Sequence, residues 1–156
     1  MRLLRKHRVL RLLAPGIVVV AVLILGAMNP TNVARTRPDH PDPRLRTRRY
    51  QKSINQARRI VVDLIPTLKT YGRNWRHVVE NGMLQISTGE AKIERVERAE
   101  VPVFFFTDDL SVTLRGNTQE VTIDVRSAAR VGRGDFGENR RHVLQLLRAL
   151  DKKMNE

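Results

Sequence analysis

The sequence predicts an α+β domain, an antiparallel sheet of four to five strands packed on two helices, preceded by one N-terminal transmembrane helix. Three observations carry this. Leu12 to Met28 is apolar and uncharged. Two stretches alternate apolar and polar residues about turn signals at Asn81–Gly82 and Gly116–Asn117. Two others, around Ile54–Leu68 and Val143–Met154, repeat apolar residues at helical spacing.

The apolar segment comes first. Its 17 residues sit at the lower end of what spans a bilayer core of about 30 Å. Pro15 and Gly16 lie in its first turn, where a helix tolerates them. A cleaved signal peptide shares the basic start but wants small residues before the cut. If Ala27 were the last residue removed, Leu25 would occupy such a position. An uncleaved signal anchor is therefore expected. The first eleven residues carry five Lys and Arg, against two in the fifteen residues after Met28. That places the N-terminus inside and the domain on the exoplasmic (periplasmic) side. Extending the second window to twenty residues makes the counts equal.

The domain boundaries follow from composition. Residues 1–11 form a basic tail, 12–28 the anchor, 29–49 a Pro-rich and polybasic linker, and 50–156 the α+β domain. The net charge is +13, and residues 1–49 supply +9 of it. A basic excess beside an apolar segment fits a membrane surface better than a nucleic acid. The lipid bilayer is thus the expected partner, with no nucleic acid. With no cysteine, the chain has no disulfide, thiolate zinc site or thiol nucleophile. His7, His40, His77 and His142 form no ligand pair, so no metal and no cofactor are expected.

Within the domain, Ser53 and Gln56 form a capping-box pattern ahead of Ile54, Ala57, Val61, Leu64 and Leu68. Pro66 ends or kinks that helix near Leu64. Asp42–Pro43 offers an alternative, earlier start. Trp75, His77 and Val79 alternate, Asn81–Gly82 turns the chain, and Leu84 and Ile86 return as a first hairpin. Glu90 to Glu100 is ambiguous. Ser87 and Glu90 suit a helix start, yet Ile93, Arg95, Glu97 and Ala99 alternate like a strand. Val103 to Phe106 reads as strand. In the second hairpin Leu110, Val112 and Leu114 lead out, and Val121, Ile123 and Val125 return. A two-residue turn would set Val112 against Val121 and Asp109 against Asp124. The last helix carries Val143, Leu146, Leu147, Leu150 and Met154 on one face, with Asp135 and Glu138 as its capping box.

The stretch from Asp124 to Asn139, with Phe106 to Asp109 upstream, resembles the domain of unknown function 1499 family (DUF1499). The family's Phe-x-Asp-Asp step falls on Phe106, Asp108 and Asp109. Its Arg-Ser-x-Ser-Arg-x-Gly segment falls on Arg126, Ser127, Arg130 and Gly132, and its Asp-x-Gly-x-Asn step on Asp135, Gly137 and Asn139. Ala129 stands where a second Ser is usual. The resemblance is specific from Phe104 to Leu150, loose from Trp75 to Val103 and absent before Trp75. It implies a strand over Ile93–Ala99 and fits a membrane-associated bacterial or plastid-type protein. It implies no activity.

Arginines crowd the connection between the last strand and the last helix. Its glycines allow backbone amides to approach a ligand, and a helix N-terminus attracts anions. The candidate binding residues are Arg126, Ser127, Arg130, Gly132, Arg133, Asn139 and Arg140. A structural reading competes: Asp135 caps the helix, occupying the same amides, and Asn139 and Arg126 tie the loop to the sheet. Asp108, Asp109, Asp124 and Asp135 form a candidate polar cluster. In the two-residue register Asp109 and Asp124 oppose each other, which calls for compensation by Arg126. No nucleophile–base pair or phosphate-loop spacing exists, so no catalytic residue is assigned. The expectation is a single-pass membrane protein with a non-catalytic domain binding an anionic ligand or a protein partner. Two alternatives are a membrane-tethered hydrolase using Asp108, Asp109 or Asp135, and a membrane-complex assembly factor without a small ligand.

Overall fold

The computed structural model describes residues 32–79, 85–86, 93–131 and 135–156. The apolar segment 12–28 and the Asn81–Gly82 turn signal lie outside them. No helix among the described residues is long and apolar enough to cross a membrane.

In chain order the elements are β1 (Val33–Arg35), β2 (Arg48–Tyr50), α1 (Ile54–Leu64), β3 (Lys69–Thr70), β4 (Arg73–Asn74), β5 (Arg76–Val78), β6 (Gln85–Ile86), β7 (Ile93–Val103), β8 (Phe106–Gly116), β9 (Val121–Ala129) and α2 (Glu138–Met154). The protein is α+β. Its main sheet runs β1–β9–β8–β7–β5, with β2 also on β9 and β6 also on β7, all antiparallel. Seven strands therefore fill five positions. β3 and β4 form a separate ribbon.

The segment expected as a linker belongs to the domain from Asn32 onward. Val33–Arg35 pairs with Arg126–Ala128, and Arg48–Tyr50 pairs with Val121–Ile123. Together they close the edge that β9 would otherwise leave open. Pro38, Pro41 and Pro43 fall in the loop between them, where a missing amide costs no ladder bond. Asp42 caps the short 3-10 turn Pro43–Leu45 and accepts a 3.0 Å bond from the Arg44 amide. Leu45 enters the core.

The first hairpin does not form. β5 and β6 follow one another along the same edge of β7, Arg76 opposite Glu100 and Gln85 opposite Glu94. From Ile93 onward the ambiguous segment is a strand, as the family pattern implies, and its first residues, 90–92, lie outside the described ones. Its β-bonds to β8 run from Ile93 to Val103. Val103 to Phe106 is not continuous strand: Phe104 and Phe105 form a two-residue turn, and Phe104 takes a φ of 45°.

The second hairpin forms with a longer turn. Asn117 donates its amide to Glu120 O, and its side chain accepts from the Gln119 and Glu120 amides. Gly116 then sits opposite Val121, and a Cβ there would lie 2.2 Å from Glu120 O. Leu114 faces Ile123 and Val112 faces Val125. This register lies four residues from the two-residue one. An even displacement keeps every side chain on its face, so the apolar face survives.

That inner face carries Ala99, Val101, Leu110, Val112, Leu114, Val121, Ile123 and Val125, all buried. Both helices cover it. α1 starts at the expected capping box, Ser53 with Gln56, and Pro66 falls in the 3-10 turn that ends it. α2 buries Val143, Leu146, Leu147, Leu150 and Met154. Each such side chain contributes roughly 1.5–3 kcal/mol of burial.

Candidate functional site

Strand alternation separates the two adjacent acids. Asp108 is two residues from Leu110 and points inward, while Asp109 points to the outer face. Asp108 is 4 % exposed and lies beneath α2. There it meets His142, which is 1 % exposed. Nδ1 of His142 is 3.6 Å from Asp108 Oδ2, and Nε2 is 3.7 Å from Glu138 Oε2. Neither ring nitrogen has a hydrogen-bond partner among the described residues. Trp75 meets the imidazole edge-on, with centroids 5.8 Å apart. Burial pushes the Asp108 carboxyl up to about 6, and the charges of Asp135, Glu138 and Asp109 add to this. Burial likewise pushes His142 down to about 4, with Arg141 adding. At neutral pH the pair is therefore a carboxylate beside a neutral imidazole. Glu138 accepts from the Tyr71 hydroxyl and from Arg141. Sequence reading passed over His142. Its signal was position: a histidine inside the apolar stripe of the last helix, one turn before Leu146.

The family motif builds the join between β9 and α2. Ser127 faces inward and donates 2.6 Å to Asn139 Oδ1. Asn139 Nδ2 donates 2.9 Å to Asn32 O. Asp135 accepts from the Gly137 amide at 2.9 Å and the Asn139 amide at 2.8 Å. Gly137 takes a φ of 81°, a conformation that favours glycine. Asp135 thus occupies the helix-start amides. Glu138 does not complete a capping box, because its carboxylate serves Tyr71 and Arg141 instead. Gly132 and Arg133 lie outside the described residues.

The remaining candidates are dispersed. Arg130 binds Asp109 at 2.6 Å and Glu100 at 2.8 Å on the outer face. Arg140 pairs with Asp42 beside α2. Asp124 accepts from Thr36 and Thr47 at 2.8 and 2.6 Å and pairs with Arg115 at 3.1 Å. The expected cluster of Arg126 with Asp109 and Asp124 does not exist. The four-residue turn moves Asp109 opposite Ala128 and Asp124 opposite Thr113.

Arg126 stands instead between Ser111 on β8 and Arg35 on β1. Neither Arg35 nor Arg126 makes an ion pair or a side-chain hydrogen bond among the described residues. An open groove of about 360 Å³ runs past them, lined by Arg35, Arg37, Arg115 and Arg126 around Asp124. A second, of about 400 Å³, lies on the other side of Arg126, with Arg98, Arg130 and Ser111 in its walls. Guanidinium groups in this setting suit a phosphate or carboxylate. Among the described residues no group of three His, Asp or Glu is arranged to hold a metal ion. Of the three acids named for the hydrolase alternative, Asp108 and Asp109 face opposite ways and Asp135 is bound to amides.

No curated protein and no solved structure matches the chain. The family model described as "Protein of unknown function (DUF1499)" matches residues 25–150, which include β1, β2 and the whole sheet as well as the motif. The chain belongs to the DUF1499 family.

Proposed function

We propose that this is a single-pass membrane protein whose exoplasmic domain binds an anionic group, without catalysis, in the grooves that meet at Arg126. The observation that carries the reading is the Arg35–Arg126 pair. Arg35 and Arg126 are register partners on adjacent strands, and neither makes an ion pair among the described residues. Like charges so placed cost stability. An anion between them turns that cost into charge-assisted hydrogen bonds. The membrane part rests on the apolar stretch 12–28 and the basic residues before it.

The full chain, held in a neutral detergent, is titrated with inorganic phosphate at constant ionic strength while its thermal midpoint is followed. A ligand at a hundredfold excess over its dissociation constant stabilises by about 2.7 kcal/mol. Phosphate is expected to raise the midpoint of the parent and to lose that effect in Arg126→Ala and Arg35→Ala. An equal rise in all three proteins rules the groove out. Protease added to intact spheroplasts tests the topology: a C-terminal tag should be digested, and full protection would reverse it.

A further inference from the structure

Eight large apolar side chains are exposed among the described residues, and six gather at one end of the sheet: Tyr71, Phe104, Phe105, Phe106, Val131 and Phe136. Phe105 is 96 % exposed at the tip of the β7–β8 turn. Tyr71 stacks on Phe104 with centroids 4.0 Å apart. Folding does not ask for aromatics here. Two-residue turns favour Asn and Gly, and Phe104 holds a positive φ that costs a Cβ-bearing residue energy. Concentrated apolar exposure of this kind marks a contact surface.

The position of the chain's entry says what the surface meets. Asn32 O accepts 2.9 Å bonds from the Ala129 amide and from Asn139 Nδ2. Ala129 lies opposite Asp108, two residues from Phe106. The chain therefore enters the domain at the end that bears the aromatic turn. Only residues 29–31 separate Asn32 from the apolar segment ending at Met28. Four Cα steps reach at most about 14 Å. From the level of Asp108 the turn projects three residues further, about 10 Å, and stands about 12 Å sideways from β1. A membrane holding residues 12–28 is thus within reach of the turn. At this end Arg73 donates to Phe104 O, while Arg130 is paired with Asp109 and Glu100 and Arg141 with Glu138, so the contact offered to the bilayer is the aromatic one.

We propose that the β7–β8 turn, with Phe104 and Phe105 foremost, inserts into the interfacial layer of the same bilayer that holds residues 12–28. The domain then rests against the membrane at its tethered end, aromatic rings at headgroup depth. This rests on the membrane-anchor reading above, and the experiment separates the two.

The chain has no native cysteine, so single-cysteine variants can be spin-labelled directly. Phe105→Cys, Thr118→Cys in the opposite turn and Val20→Cys in the apolar segment are reconstituted as full chains in vesicles of phosphatidylcholine and phosphatidylglycerol. Collisions with oxygen, which favours lipid, are compared with those of a water-soluble nickel chelate. The labels at 105 and 20 should meet oxygen several-fold more than nickel, and the label at 118 the reverse. A label at 105 in water with one at 20 in lipid overturns the proposal while the anchor stands. A label at 20 in water overturns the anchor and the proposal with it. A label at 105 shielded from both reagents means a protein contact, and one at 118 in lipid means another orientation; either also overturns it. Thermal midpoints of the labelled variants confirm that each is folded.

Discussion

Ser127 on β9 donates a 2.6 Å hydrogen bond to Asn139 on α2, and solvent reaches neither side chain. Asn139 also bonds Asn32 O, so one side chain joins the last helix, the last strand and the start of the domain. Asn139→Ala leaves the buried Ser127 hydroxyl without its acceptor and takes one of two donors from Asn32 O, the Ala129 amide remaining, and should cost about 1–3 kcal/mol in chemical denaturation. Ser127→Ala should cost about 1–2 kcal/mol. The double variant should lose less than the sum, because the two groups share one bond. Strict additivity would show that the bond carries no energy.

Asp108 and His142 should bend the stability–pH curve in opposite senses. The Asp108 carboxyl titrates at 3.8 when free and at about 6 when folded. The folded state thus holds a proton that the unfolded state has lost, and stability falls as pH rises from about 3.8 to 6. The full penalty is roughly 3 kcal/mol above that window. For His142 the folded value, about 4, lies below the free value of 6.5, so stability falls as pH drops from 6.5 to 4. Asp108→Asn should match the parent near pH 4 and exceed its midpoint increasingly up to pH 7. A variant equally or less stable at pH 7 would contradict a strained carboxylate.

Asp135 receives two amides, one on each oxygen. Asp135→Ala should cost about 1–2 kcal/mol. Asp135→Ser should recover only part of this, since a hydroxyl of that length serves one amide. Full recovery by Ser would mean that only one of the two bonds matters.

Arg126→Ala should leave the thermal midpoint of the unliganded protein within about 0.5 kcal/mol of the parent, or raise it slightly. Arg126 has no acid to desert, and its removal relieves Arg35. A large loss would reveal a partner for Arg126 and weaken the anion reading.

What the sequence by itself determined is what local periodicity encodes. The capping box at Ser53, the stripe from Val143 to Met154 and the alternation through Leu110–Leu114 and Val121–Val125 all stand as read. The face of the sheet survived even a wrong register, because side-chain direction depends only on the parity of the displacement. The family motif was also legible, since it is a short run of chain. Tertiary structure decided everything that depends on backbone pairing across distance. Ala34 meets Ser127, and Arg48 meets Ile123, through bonds that any non-proline residue can make, so no side-chain pattern announced β1 or β2. The Asn117 side chain closed a four-residue turn and so parted Asp109 from Asp124. Burial beneath α2, not spacing along the chain, brought His142 to Asp108. Register and burial are properties of the assembled core, where one helix face and one strand face must meet.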